Sequence, residues 1–342
     1  MIDIDGSYGE GGGQILRSAI ALSAVTLKHI KVRNIRAHRP NPGLAPQHLT
    51  AIRAVAQVCN AQVSGLELGS TTIEFHPRKL AGGEYQFDVG TAGSVTLVLQ
   101  ACLPPLLYSS SPGKVSIRGG TDVRWSPPVD YFSHVFLPLL SRMGANVRVE
   151  TVRRGYYPRG GGLVRMWVEP LKKIKGLSFV RPRIKEVRGI AHSTNLPEHV
   201  VSRMREAAIK RLSRYPTEID EERGHAVCPG AGITLWTSDT VLGASCLGER
   251  GLRAEVVGER CATALLEDIV GGATLDRYAT DQLLLYMALA DESHFFTRTI
   301  SAHARTNWWL IQQFLEPGAE IRGDKLKEVW IRGSDKILKT ER

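Results

Sequence analysis

The chain has 342 residues, room for two or three domains. Its 43% hydrophobic and 23% charged content is that of an ordinary water-soluble globular protein and excludes a disordered or fibrous chain. A net charge of +10 and a pI near 9.5 draw such a protein toward polyanions, nucleic acid first.

No apolar run approaches the roughly 18 residues of a membrane span. The opening MIDIDGSYGE is acidic and has no apolar segment, so it does not read as a signal peptide. The five cysteines (Cys59, Cys102, Cys228, Cys246, Cys261) are scattered, and none forms a CxxC pair. That usage points to a reducing cytoplasm and away from a disulfide framework or a zinc site.

A short strand, Ile2 to Ile4, leads into Asp5-Gly6-Ser7-Tyr8-Gly9-Glu10-Gly11-Gly12-Gly13-Gln14. Leu16, Ala19, Ile20 and Ser23 then recur at helical spacing, so the turn feeds a helix. A glycine turn at a helix start offers close backbone approach and unpaired N–H groups, which suits phosphate. Glu10 in its centre suggests a metal ion beside that phosphate.

Residues 31–48 carry Lys31, Arg33, Arg36 and Arg39 ahead of a Pro/Gly-rich loop, and Gln47 and His48 open the next helix. The Arg36/Arg39 forks match phosphate oxygens and make this loop a second phosphate-facing element.

The chain repeats itself. Helices LTAIRAVAQVCNA, VDYFSHVFLPLLSRMGA and TNWWLIQQFLEPGA are each followed by an alternating hairpin. A second helix type, in GGGQILRSAIALS, TAGSVTLVLQACLPPL and YATDQLLLYMALA, precedes each of them. The aligned alanines Ala61 and Ala145 are 84 residues apart, but Ala145 and Ala319 are 174 apart. The spacing predicts three copies of one unit, with about 90 extra residues in the third. The expected fold is therefore mixed α/β (α+β). Three βαβαββ-type units form one large domain (1–181 and 275–342), and a small α/β domain is inserted at 182–274. The insert reads as strand IKEVRGIAHS, helix HVVSRMREAAIKRLSR, strands AGITLWTS and GASCLGE, and helix RCATALLEDIVGG. The cations of its first helix (Arg203, Arg205, Lys210, Arg211, Arg214) read as a solvated face.

In the third unit His303 falls at the border between strand FFTRTIS and helix TNWWLIQQF, with Thr306 or Asn307 as the helix cap. Trp308 and Trp309 read as core.

The phosphate-loop motif G-x-x-x-x-G-K-[ST] is absent, and so are G-x-G-x-x-G after the first strand, H-E-x-x-H and G-x-S-x-G. Lys-x-Asp-Gly, the lysine nucleophile motif of common polynucleotide ligases, is absent too.

The run Asp5-Gly6-x-x-Gly9-Glu10-Gly11-Gly12-Gly13-Gln14-Ile15-Leu16-Arg17-Ser18 resembles the signature of the RNA 3′-terminal phosphate cyclase family. So do Arg36-Ala37-x-Arg39-x-x-Pro42-Gly43-Leu44-x-x-Gln47-His48, Ala92-Gly93-Ser94-x-Thr96-Leu97-Val98-Leu99-Gln100, Gly119-Gly120-Thr121-Asp122 and Asp281-Gln282-Leu283. The resemblance runs through all three units and is weakest in the insert. It implies ATP-dependent conversion of an RNA 3′-phosphate to a 2′,3′-cyclic phosphodiester, through a covalent histidinyl-AMP and an RNA-ppA end. His303 matches the nucleophile. Gln100 and the run Tyr278, Ala279, Thr280, Asp281 and Gln282 match ATP-binding positions. Glu10 matches a carboxylate for Mg2+ or Mn2+. Arg36, Arg39, Gln47, His48, Gly12 and Gly13 are implied to hold phosphates of ATP or of the RNA end. Two other classes compete: a non-catalytic ribosome-biogenesis relative of the same fold, which lacks the nucleophile, and an enolpyruvyl transferase built on similar repeats.

Overall fold

The computed structural model describes residues 1–179, 184–238 and 241–334. The expected boundary at 181/182 therefore lies outside the described residues. The architecture is mixed α/β, with four small sheets among the described residues.

The chain opens with β1 (Ile2–Asp5), α1 (Gly13–Thr26), β2 (Ile30–Arg33), α2 (Pro46–Val58), β3 (Gln62–Ser64) and β4 (Ile73–His76). Parallel strands need a crossover, and α1 supplies it between β1 and β2 in a sheet of order β1-β2-β4-β3. The helical spacing of Leu16, Ala19 and Ile20 understates α1. Ile15, Leu22 and Ala24 are buried as well, because α1 is covered by neighbours on several sides.

Next come β5 (Gly83–Asp88), α3 (Val95–Leu107), β6 (Gly113–Gly119), α4 (Val129–Tyr131), a π-helical turn (Phe132–Phe136), α5 (Leu137–Arg142), β7 (Asn146–Arg153) and β8 (Gly162–Glu169). The sheet order is β5-β6-β8-β7, with β5 and β6 parallel. The single helix expected over VDYFSHVFLPLLSRMGA is thus three pieces. Pro138 supplies the reason. It has no N–H to donate, and its ring crowds the carbonyl of His134 four residues back, so the turn before it widens.

The following stretch holds β9 (Val187–Thr194), α6 (His199–Arg211), β10 (Thr217–Gly224), β11 (Gly230–Thr237), β12 (Gly243–Leu247) and α7 (Ala254–Val270), with sheet order β10-β9-β11-β12. Val187, Met204, Leu235, Cys261 and Leu265 form a core distinct from the main one. Two expectations need correction. Strand β10 was unforeseen, because as an edge strand it buries only Ile219 and shows no alternation. Helix α7 begins at Ala254 rather than Arg260.

The last elements are α8 (Arg277–Leu289), β13 (Glu292–Thr297), α9 (Ala302–Phe314), β14 (Gly318–Arg322) and β15 (Lys327–Arg332), in the order β13-β15-β14. Ser178 adds a parallel bridge to His294 in β13, where His294 N–H donates to Leu177 O at 2.8 Å. α1 packs on α2, α3 and α9, and α8 packs on α9, which brings the helix starts of distant segments together. No helix among the described residues is long and apolar enough to cross a membrane.

Candidate active site

The glycine turn is shaped by what lies against it. Gly9 has φ +60°, and a Cβ there would sit 2.4 Å from Oγ1 of Thr306 on α9. A Cβ on Gly13 would sit 2.0 Å from His48 Nε2, and one on Gly12 2.9 Å from an Arg39 guanidinium nitrogen. Any side chain at Gly13 would therefore evict His48. Gly12 caps α1 without a side-chain hydrogen bond, so the first-turn N–H groups remain available to an anion.

Arg39 is exposed beside this turn. Arg36 is half-buried, and its Nη1 donates to Gly43 O at 2.8 Å. Burial, and then the charge of Arg39, lower the Arg36 pKa. His48 is buried, and its Nδ1 accepts from Ala45 N–H at 3.3 Å. Burial first, then Arg17 and Arg36, push His48 down to about 3. It is therefore a neutral imidazole at working pH rather than a cation. Arg17 on α1 stands next to Gly13 and His48, and burial lowers it to about 10, so it stays charged. No role was foreseen for Arg17; its place one helical turn after Gly13 was the available signal. Gln47 reaches into the second segment, where its Oε1 accepts Ser94 N–H at 2.8 Å.

Ser94 caps α3 by accepting from Leu97 N–H at 3.3 Å. Two turns along α3, Gln100 donates to Gln282 Oε1 on α8. Neighbouring Asp281 accepts from Ser301 Oγ at 2.6 Å, and Asn307 Nδ2 donates to Asp281 O at 3.1 Å. Burial raises Asp281 to about 7. Ser301 also caps α9 by accepting from Ala304 N–H at 2.9 Å. His303 thus lies in the first turn of α9 rather than at a strand–helix border. Thr306 and Asn307 sit inside the helix and do not cap it.

The contacts close on themselves. His303 Nδ1 lies 2.8 Å from Glu10 Oε2, and both side chains are roughly half exposed at 48% and 40%. Gln14 donates to His303 O at 3.4 Å. Gln14 Oε1 and Asn307 Oδ1 are buried with no hydrogen-bond partner among the described residues, which suits a polar ligand at this junction. Glu10, Gly12, Gly13, Arg39, Gln47, His48, Gln100, Asp281, Gln282 and His303 therefore belong to one connected constellation. Tyr278 is exposed beside it under the Arg277 guanidinium. Ala279 and Thr280 are different. Both are fully buried, and their N–H groups are accepted by Asp276. Trp309 is not simply core: it stacks on Tyr8 of the glycine turn with centroids 3.9 Å apart.

Glu10 is the carboxylate beside which the sequence suggests a divalent cation. Among the described residues, the only group of three potential ligands is Asp122, Asp130 and His192, not a cluster around Glu10. A single carboxylate with substrate phosphates and water still suits Mg2+-type coordination.

The sequence profile described as RNA 3′-terminal phosphate cyclase matches residues 8–321. The chain is similar to proteins named RNA 3′-terminal phosphate cyclase from several organisms. The one from Methanopyrus kandleri is 46% identical over 340 residues, covering 94% of this chain and 96% of the relative. The one from Nitrosospira multiformis is 49% identical over 323 residues, 92% of each chain. The one from Archaeoglobus fulgidus is 46% identical over 330 residues, covering 95% and 99%.

Proposed function

The chain belongs to the RNA 3′-terminal phosphate cyclase family, and from that premise we propose that it uses ATP to convert an RNA 3′-phosphate into a 2′,3′-cyclic phosphodiester. The Glu10–His303 contact carries this reading. Glu10 engages the Nδ1 edge of the ring, so Nε2 is the nitrogen left for chemistry. In the first step Nε2 attacks the α-phosphorus of ATP. A P–N bond forms, the bond between the α-phosphorus and the bridging oxygen breaks, and pyrophosphate leaves. An oxygen of the RNA 3′-phosphate then takes AMP from His303, giving RNA-ppA. Finally the neighbouring 2′-OH loses its proton and attacks the RNA phosphorus, closing the ring and expelling AMP.

Arg17, Arg39 and the N-terminus of α1 neutralise phosphate charge, the main contribution a protein makes to phosphoryl transfer. Neutral His48 serves there as a hydrogen-bonding wall. Gln100, Gln282 and the exposed ring of Tyr278 hold the nucleoside end, and Ala279, Thr280 and Asp281 set the frame of α8. Mg2+ or Mn2+ held through Glu10 would supply further charge neutralisation on the triphosphate. The sheet orders support the companion reading of three βαβαββ units. In that reading the isolated bridge at Ser178, parallel to β13, stands where the third unit begins, and the segment with its own core interrupts the unit before α8.

The test is an RNA bearing a labelled 3′-phosphate. With ATP and Mg2+ or Mn2+, the label becomes resistant to phosphatase; without ATP it stays sensitive. A label that remains sensitive in the complete mixture contradicts the assignment.

A further inference from the structure

A second polar cluster lies away from this constellation, where the segment 187–273 meets the β6–β8 region. Asp122 follows β6, Asp130 lies in α4, Arg154 and Tyr156 follow β7, and His192 and Glu222 come from β9 and β10. Asp122, Asp130, Arg154 and His192 are each 5% exposed or less.

Arg154 covers one flank. Its Nη1 donates to Asp122 Oδ2 at 3.2 Å. The two hydrogens of its Nη2 go to Asp130 Oδ1 at 3.0 Å and Glu222 Oε2 at 2.7 Å. Nη2 also lies 2.9 Å from Asp130 Oδ2, but has no hydrogen left to give it. The other flank brings three atoms face to face. His192 Nε2 is 3.5 Å from Asp122 Oδ1 and 3.8 Å from Asp130 Oδ2. Neither His192 Nε2 nor Asp130 Oδ2 has a hydrogen-bond partner among the described residues, although both are buried. Two such atoms in a protein interior are costly unless something bonds to them.

Three features select what that is. Three carboxyl groups (Asp122, Asp130, Glu222) face a single guanidinium, so the cluster is short of positive charge. The separations of 3.5 and 3.8 Å are too long for direct hydrogen bonds. They are close to the ~3.4 Å spacing of ligands placed ~2.1 Å from a tetrahedral metal. The far ring nitrogen, His192 Nδ1, is held by the Tyr156 hydroxyl at 2.7 Å, and Thr121 Oγ1 donates to Asp122 Oδ2 at 2.6 Å. Such outer partners fix the direction of ligating groups.

We propose that Asp122, Asp130 and His192 bind one divalent cation of the zinc–manganese class, which fastens the 187–273 segment to the β6–β8 region. The site is separate from Glu10 and takes no part in the transfer chemistry. Imidazole with two carboxylates is a donor set for such ions, and water completes the shell.

The experiment strips the purified full-length protein with a chelator, reloads it with Zn2+, Mn2+ or Co2+ in turn, and counts bound metal after desalting. Wild type retains one equivalent that His192→Gln and Asp130→Asn lose and that Glu10→Ala keeps. Co2+ loading of the wild type gives a ligand-field absorption spectrum that persists in Glu10→Ala, a readout independent of how well the other two variants fold. Thermal unfolding of the wild type shifts upward on reloading. Retention of no metal by the wild type, or loss of the bound equivalent in Glu10→Ala, overturns the proposal.

Discussion

His303 Nδ1 and Glu10 Oε2 stand 2.8 Å apart although they come from opposite ends of the chain. The contact joins the first turn of α9 to the glycine turn before α1, and α1 packs directly on α9. It makes Glu10 an orienting group for the histidine as well as a candidate metal carboxylate. The two roles separate experimentally. Glu10→Gln keeps a group able to contact the ring but removes the charge a cation needs. It is expected to raise the Mg2+ or Mn2+ concentration required for self-adenylylation more than tenfold, while adenylylation at saturating metal falls less than it does in Glu10→Ala. Equal metal dependence in wild type and Glu10→Gln would leave only the orienting role.

Gly13→Ala places a methyl group where His48 Nε2 now lies, at 2.0 Å. Overpacking of this kind costs about 1–3 kcal/mol. Thermal unfolding should fall accordingly, and self-adenylylation should drop with it. His48→Ala clears the space, so adding Gly13→Ala to that background should cost much less. A double-mutant cycle measures the coupling; strictly additive losses would show that the contact is not what requires glycine.

His48 also sets an acid limit on stability. Its folded-state pKa, about 3, lies below the unfolded value of about 6.5. Between those values the unfolded chain binds the extra proton, so stability is full above pH 6.5 and is lost as pH falls toward 3. The share lost by pH 4 is on the order of 3 kcal/mol. Denaturant melts from pH 7 to 4 should show this slope in wild type and a shallower one in His48→Gln. An unchanged slope would mean that His48 does not carry it.

Asp276 holds three parts of the molecule together. It accepts from Tyr278 N–H at 2.8 Å and Ala279 N–H at 3.0 Å as the cap of α8, from Tyr131 Oη at 2.7 Å, and from Gly243 N–H of β12 at 3.1 Å. Asp276→Ala removes the acceptor from all four donors, and those of Tyr131, Gly243 and Ala279 are left buried and unpaired. It should destabilise the protein by about 3 kcal/mol or more, whereas Asp276→Asn keeps part of the network and costs less. Chemical denaturation compares the two directly; a loss under about 1 kcal/mol for the alanine variant would contradict the assigned role.

These residues also show how far the sequence could be read. Strand β1, the glycine turn and α1 were legible because turn chemistry and helical spacing agree over one short stretch. His303 was legible only through its neighbours in the motif, since a lone histidine near a helix start carries no chemistry by itself. Its true place, one residue inside a helix capped by Ser301, depends on Asp281 holding that serine. Three features needed the folded chain. The π turn before Pro138 arises from a backbone clash rather than from side-chain patterning. Strand β10 pairs through its backbone while nearly all its side chains face solvent or Arg154. The Tyr8–Trp309 stack joins residues that no local pattern relates.

The most direct test of the central claim is incubation of the protein with ATP labelled at the α-phosphorus, without RNA, followed by denaturing gel analysis. The expected result is a protein-bound label that is acid-labile and alkali-stable, as a phosphoramidate is, present in wild type and absent from a folded His303→Ala variant. Full labelling of His303→Ala, or no label on the wild type with Mg2+ and Mn2+ supplied, would contradict it.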